Sequence, residues 1–366
     1  MSKKNFAYLL LAVLVVGFLA GFTFGGMFIS KREPAPGGNA SANVHSTEDL
    51  DSEADRAYTT VEEASEPEAN RPSLPGVETR TLLEGTPWQT TLYIIRGAQP
   101  DPKMLVLGGV HGDEPAAYWS GEAASRLRVS RGTLYVIPHL NEVARKRRTR
   151  EGLGDINRKF PGDPNGDPEQ RLCWEVSSLI RQEGIKMVMT FHEALGFHSE
   201  PPHHPGQTFY YDWDTNPYAG TPLTARAQQI ISALNRKIMS NPRGYAEREL
   251  FTIHVDPIPT SATYELMRQV GVEYAYGCEV CKNNQPQRRV WFHLAALTTW
   301  MEMEGFAIDN WPEVESWIWQ GDYSGCEGER WATGLASSMV WPGHGDEEFP
   351  WSRSLPLPPL YGSFRS

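Results

Sequence analysis

The sequence predicts an α/β domain: a mixed, largely parallel central sheet with helices on both faces, preceded by one N-terminal transmembrane helix. Two patterns predict it. An apolar run fills residues 7–29, and from about Val77 short apolar runs alternate with helical stretches. Continuous apolar runs of strand length suit strands buried on both faces, which parallel sheets require. The length of 366 residues allows one large domain or two small ones. Hydrophobic residues at 40% and charged residues at 22% match globular usage, which excludes a disordered or fibrous chain. The net charge of -11 argues against nucleic acid as a partner, because phosphate binding needs clustered positive charge. Four cysteines are too few for a disulfide scaffold.

The run AYLLLAVLVVGFLAGFTFGGMFI, from Ala7 to Ile29, is long enough to span a bilayer as a helix. A cleaved signal peptide has a shorter apolar core with a small-residue cleavage site close behind. Here the A-x-A sequence, Ala40-Ser41-Ala42, lies far past the run, so residues 1–32 read as an uncleaved signal anchor. The terminal amine, Lys3 and Lys4 outweigh Lys31 and Arg32, which places the N-terminus in the cytoplasm and the bulk on the extracytoplasmic side. Residues 33–75 hold ten acidic residues against Arg56 and Arg71 and few large apolar ones, so they read as a disordered acidic linker. Self-repulsion would extend it.

Residues 76–306 carry the folded pattern. The run MLVLGGV (104–110) reads as a strand, and DEPAAYWSGEAASRL (113–127) as a helix with Pro115 in its first turn. TLYVIP (133–138) is a second strand; PEQRLCWEVSSLIRQEG (168–184) is a helix that opens on proline and closes on Gly184. IKMVMTF (185–191) and EYAYGCEV (273–280) are further strands, and 221–239 and 286–305 further helices. Residues 307–366 hold six of the twelve tryptophans and Pro356-Leu-Pro-Pro359, and read as a Trp-rich extension. The plain reading is a segment packed on the domain; the sharper one is an aromatic surface for a sugar, a partner or the bilayer interface.

In such folds, sites gather beyond the carboxyl ends of the strands. The first strand runs into His111-Gly112-Asp113-Glu114, and His and Glu at i and i+3 on a turn entering a helix can point at one ion. The letters alone are weak. His45-Ser46-Thr47-Glu48 fits the spacing, and His344-Gly345-Asp346-Glu347 repeats the tetrad, yet neither follows a strand. A third ligand should leave another strand end, and His192 does so best among the ten histidines. Imidazole and carboxylate ligands suit zinc, whose catalytic sites keep a position open for water. His198, His203 and His204 sit in a Pro/Gly-rich loop and read as a wall or lid. Between the two points, Arg150, Asn157 and Arg158 stand in a loop that can bind a substrate carboxylate and an oxyanion, since arginine offers a planar fork.

His111-Gly-Asp-Glu114, Asp155-Ile-Asn157-Arg158-Lys-Phe-Pro-Gly162, Phe191-His192-Glu193 and the segment from Tyr276 to Glu302 together resemble the zinc carboxypeptidase superfamily, in its succinylglutamate desuccinylase/aspartoacylase-like branch. The resemblance covers roughly residues 85–305. It implies that His111, Glu114 and His192 bind one Zn2+. Glu279 would be the general base that takes a proton from the attacking water and passes it to the leaving amine. Arg150 would help polarise the scissile carbonyl, and Asn157 and Arg158 would hold the substrate carboxylate. Two cysteines depart from the branch's pattern. Cys278 and Cys281 flank Glu279 and read as buried thiols or as a disulfide to Cys326, rather than as a metal clip. Glu265 is the reserve candidate for the base.

The expected function is a membrane-anchored zinc amidohydrolase that cleaves an amide next to a carboxylate, with a small-molecule or peptide substrate. The first substrate reading is an N-acyl amino acid, as for the branch. The alternative is a peptide C-terminus, such as a cell-wall stem peptide, which the outward-facing anchor favours. A reading from another class is a binding module that has lost catalysis; the presence of each expected ligand and of Glu279 speaks against it.

Overall fold

The computed structural model describes residues 76–211, 222–255, 260–323 and 325–326. The apolar run of residues 7–29, the acidic linker and the tryptophans from Trp331 onward lie outside these residues. Among the described residues, no helix is long and apolar enough to cross a membrane.

Among the described residues, nine strands form one mixed sheet: β1 (Val77–Leu82), β2 (Thr90–Arg96), β3 (Gln99–Leu107), β4 (Val129–Ile137), β5 (Met187–Ala194), β6 (Thr208–Tyr211), β7 (Thr252–Val255), β8 (Tyr274–Cys281) and β9 (Ala307–Ile308). Their order is β1-β2-β4-β3-β5-β8-β6-β7, with β9 paired to β4. The centre, β4-β3-β5-β8, is parallel throughout. The flanks are not: β1, β2 and β9 add antiparallel on one side, and β6 adds antiparallel to β8 on the other. The expected sheet is therefore present. Its antiparallel margins are short or partly exposed, so they left no long apolar run to be read in advance.

The helices are α1 (Pro115–Ala124), α2 (Glu142–Arg147), α3 (Pro168–Glu183), α4 (Pro222–Met239), α5 (Ala262–Glu265), α6 (Pro286–Met303) and α7 (Trp311–Gln320). They cover both faces of the sheet. On one face α1, α4, α6 and α7 pack against Met104, Val106, Phe191, Phe209, Tyr276 and Cys278. On the other, α3 and α5 pack against Leu105, Leu107, Val188 and Ala275. Period-two alternation along each strand divides the side chains between the two layers.

Local signals explain the helix ends. In α3, Asp167 and Gln170 form a reciprocal cap, Pro168 opens the first turn, and Gly184 closes the helix in the left-handed conformation at φ 66°. Glu114 occupies the cap position of α1, yet its side chain caps nothing there. The N–H of Ala116 is satisfied instead by Glu193 Oε2 at 2.7 Å. All four cysteines are buried free thiols, which decides between the two sequence readings of Cys278, Cys281 and Cys326.

A candidate metal centre at the strand ends

Two close approaches shape the ground under the site. Gly112 lies against the backbone of α2, where an added Cβ would meet the carbonyl of Ala144 at 2.1 Å. Only glycine lets the His111–Glu114 turn press onto that helix. At Gly277 an added Cβ would meet the Tyr210 ring at 1.9 Å, so this glycine lets Tyr210 lie across β8. The Tyr210 and His192 rings are then 6.3 Å apart, edge to face.

The turn after β3 and the carboxyl end of β5 bring His111, Glu114 and His192 together. One ligand atom from each lies within 4.8 Å of the others, and all three residues are buried. His111 Nδ1 stands 2.8 Å from Glu114 Oε1, and His192 Nδ1 stands 3.0 Å from Glu114 Oε2. One carboxylate thus faces two imidazoles, which is why it does not cap α1. Its Oε2 also accepts the N–H of Glu193 at 3.2 Å.

The electrostatics follow. Burial alone would raise the Glu114 carboxyl, but the imidazoles of His111 and His192 outweigh it and hold the group well below the usual carboxylate range. Burial disfavours the charged form of His111, yet Glu114 and then Asp155 push it up to about 9. His192 moves down, because burial exceeds the pull of Glu114. Between these carboxylates a proton on His111 occupies a place where a divalent cation could take over its charge. His192 Nε2 is buried with no hydrogen-bond partner among the described residues, so this side chain is not explained by protein contacts alone. Two buried nitrogen donors and one anionic oxygen donor make a set that can hold a metal ion.

Asp155 supports the cluster, a role the sequence reading did not give it although it stands in the quoted Asp155–Gly162 motif. Its Oδ1 accepts from His111 Nε2 at 3.1 Å and from the N–H of Asn157 at 2.9 Å. Burial would raise this carboxyl; the bond to His111 more than reverses that and lowers it. A carboxylate on the far nitrogen of an imidazole fixes its tautomer and leaves the near nitrogen's lone pair free.

Glu279 occupies the β8 rung directly beside His192. Both follow the alternation of the residues facing α3 and α5, so they share a face. Burial, reinforced by the charge of Glu114, pushes Glu279 up to about 8. Arg150 reaches in from the loop before Asp155: its Nη1 is 3.3 Å from Glu114 Oε1 and its Nη2 is 3.9 Å from Asp155 Oδ2.

Asn157 is buried, with its Oδ1 accepting the N–H of Ala262 at 3.0 Å. Its oxygen therefore holds the start of α5, and its amide nitrogen bonds no described residue. Arg158 donates to the carbonyl of Asn157 at 3.3 Å, and its charge helps to lower the Asp155 carboxyl. The structure thus gathers five of the sequence candidates by contact or by rung, His111, Glu114, His192, Arg150 and Glu279, with Asn157 joined to them through Asp155 and Arg158 adjoining Asn157.

The remaining candidates lie elsewhere. Glu265 is bound to Arg268 and Gln269, so its carboxylate is committed. His198 lies near His254, with rings 5.1 Å apart, outside the cluster. The copies at His45 and His344 fall outside the described residues.

A second buried pair was not anticipated. Glu193 faces away from the cluster, and its Oε1 is 2.7 Å from Arg289 Nη1 on α6. With its other oxygen on Ala116, Glu193 joins β5, α1 and α6. The neighbouring position of Glu193 and His192 was the available signal. Nothing local named Arg289 as its partner.

Among known proteins, a family model described as "Carboxypeptidase controlling helical cell shape catalytic" matches residues 89–309. No curated protein sequence matches the chain significantly. Of solved structures, the apo form of the cell shape determinant protein Csd4 from Helicobacter pylori is similar, at 25% identity and a TM-score of 0.53 over 63% of this chain and 59% of that one. The tripeptide-bound form of Csd4 from the same organism has 24% identity and a TM-score of 0.53, over 63% and 60% of the two chains. A succinylglutamate desuccinylase/aspartoacylase from Rhodobacter sphaeroides has 20% identity and a TM-score of 0.43, over 60% of each chain. The chain spans about three fifths of the length of Csd4. Because the family match takes in each motif from His111 to Glu279 and more than half of the 366 residues, the chain belongs to the family of carboxypeptidases controlling helical cell shape, within the zinc carboxypeptidase-like superfamily.

Proposed function

We propose that the protein is a zinc-dependent carboxypeptidase that removes the C-terminal residue of a peptide. The observation that carries the reading is the strand register: Glu279 stands on the rung beside His192, while His192 shares Glu114 with His111. Residues for holding an ion and a carboxylate base are thereby placed side by side. Family membership favours a peptide over an N-acyl amino acid as the amide-bearing substrate.

His111, Glu114 and His192 would hold the zinc ion. Bound there, zinc supplies Lewis acidity and brings the pKa of water down to about 7. The protein's own groups do the rest. Glu279 takes the proton of the attacking water and returns it to the leaving amine, a transfer that suits a carboxylate raised above its ordinary range. Arg150 donates to the carbonyl oxygen as negative charge develops on it. Arg158 and the amide of Asn157 receive the terminal carboxylate of the substrate, which selects chain ends. Csd4 has been solved with a tripeptide bound, which supports a short peptide as the substrate class.

We also propose the arrangement of the whole chain: an anchor at 1–32, an acidic tether at 33–75, the hydrolase at 76–306 and the Trp-rich extension at 307–366. The apolar run and its flanking lysines support an anchor with the hydrolase on the extracytoplasmic side. A stem peptide of the cell wall would be within reach there.

Metal quantification on the full-length protein, joined to a screen of muropeptides, peptides with free or amidated C-termini and N-acyl amino acids, tests the reading. Stoichiometric zinc with release of one C-terminal residue from free-ended peptides is expected. Hydrolysis of N-acyl amino acids alone would overturn the peptidase assignment. Zinc-free protein that hydrolyses nothing would point to the binding-module alternative.

A further inference from the structure

We propose that His293, on α6, is a positioning residue that sets the orientation of His192 and Glu279 from behind the sheet. The inference rests on the reading of the site given above. His293 is fully buried. Its Nε2 stands 3.0 Å from the carbonyl oxygen of His192 and 3.2 Å from that of Cys278. Carbonyl oxygens only accept, so Nε2 carries a proton and donates to both. One carbonyl belongs to the candidate ligand itself. The other belongs to the residue immediately before the candidate base. The two lie on neighbouring strands, where Phe191 pairs with Cys278 and His192 with Glu279.

A single donor shared by two strands at this rung fixes how each peptide plane is turned. The turn of the peptide plane sets where the attached side chain leaves the strand. His293 therefore acts on the face carrying His192 and Glu279 from the opposite, helix-covered face. The other ring nitrogen, Nδ1, is 2.8 Å from Ser120 Oγ on α1, whose hydroxyl lies 2.6 Å from the carbonyl of Ala116. Glu114 stands at the cap of α1, so His293 meets the helix that follows Glu114 and the two strands that carry His192 and Glu279. Its ring packs on Phe191, with centroids 4.7 Å apart and planes at 30°. Arg289 lies one turn earlier on α6 and grips Glu193, so two successive turns of one helix hold adjacent residues of β5.

A histidine that only filled space would be replaceable by an apolar ring. The test compares full-length wild type with His293→Phe and His293→Gln. Phenylalanine keeps the ring packing and loses both polar nitrogens. Glutamine places an amide donor near the position of Nε2. In metal-free protein, amide hydrogen exchange in peptides covering β5 and β8 should quicken in His293→Phe and stay near wild type in His293→Gln. With zinc, His293→Phe should lose roughly 10–100-fold in kcat with KM nearly unchanged, or a similar factor in metal affinity, and His293→Gln should recover most of it. Should His293→Phe not fold, His293→Asn replaces it, because its shorter amide falls short of the two carbonyls; it should then be slower than His293→Gln. Unchanged exchange in β5 and β8, or equal rates for donor and non-donor variants, would overturn the assignment. The exchange measurement needs neither zinc nor substrate, so failure of the carboxypeptidase reading and failure of this one are separable.

Discussion

Replacing Glu279 by glutamine removes one charge at nearly constant shape and should do two opposite things. In the metal-free protein, burial and the neighbouring Glu114 push the Glu279 carboxyl from its ordinary 4.5 up to about 8. Its folded-state pKa thus lies above the unfolded one. The stability this group contributes is present below about pH 4.5 and is lost as pH rises to about 8. At pH 7.5 the folded state holds this carboxyl largely protonated where the unfolded chain leaves it ionised, which costs up to about 4 kcal/mol at 1.36 kcal/mol per unit, and relaxation with water entry brings that to about 2. A neutral amide at this position carries no such cost. Metal-free Glu279→Gln should therefore melt roughly 4–8 °C above wild type at pH 7.5 and close to it at pH 4.5. Zinc beside the carboxylate would lower its pKa, so the gain should shrink when zinc is added. Hydrolysis should fall by roughly 10²–10⁴-fold, the usual contribution of a general base. The assay is thermal unfolding by circular dichroism in chelator at both pH values, paired with kcat on a cleaved peptide. A variant no more stable than wild type at pH 7.5, or one within tenfold of its activity, refutes the role argued for Glu279.

Two further outcomes follow from the supporting contacts. Asp155→Asn keeps an acceptor for His111 but removes its charge, so metal affinity or activity should fall roughly 10–100-fold. Competition against a chelator reads the affinity, and wild-type values in both measurements would count against Asp155. Arg289→Met leaves Glu193 buried and unpaired and should cost about 3–5 kcal/mol. The urea midpoint measures this, and adding Glu193→Gln should restore part of the loss; a neutral Arg289→Met would show that the pair is not needed.

Much of this protein was determined locally. A strand covered on both faces must be apolar throughout, so the central strands β3, β4, β5 and β8 stood out as runs, and helix α3 between β4 and β5 carried its own caps. His111, Glu114 and His192 could be singled out because each lies where a run ends, which is where parallel strands deliver side chains to a common rim; Glu279, inside its strand, was named by the family resemblance. Edge strands have no such constraint. Strand β1 is largely exposed and β6 and β7 are four residues each, so their pairing was not written in any window of sequence. Only the folded sheet decided that β5 and β8 are neighbours, and hence that His192 and Glu279 share a rung. Only the packing of α6 brought Arg289 to Glu193 across 96 residues and His293 to the carbonyl of His192 across 101. Such partners are chosen by three-dimensional proximity and by the cost of leaving a buried polar group unpaired, and neither has a period or a spacing along the chain.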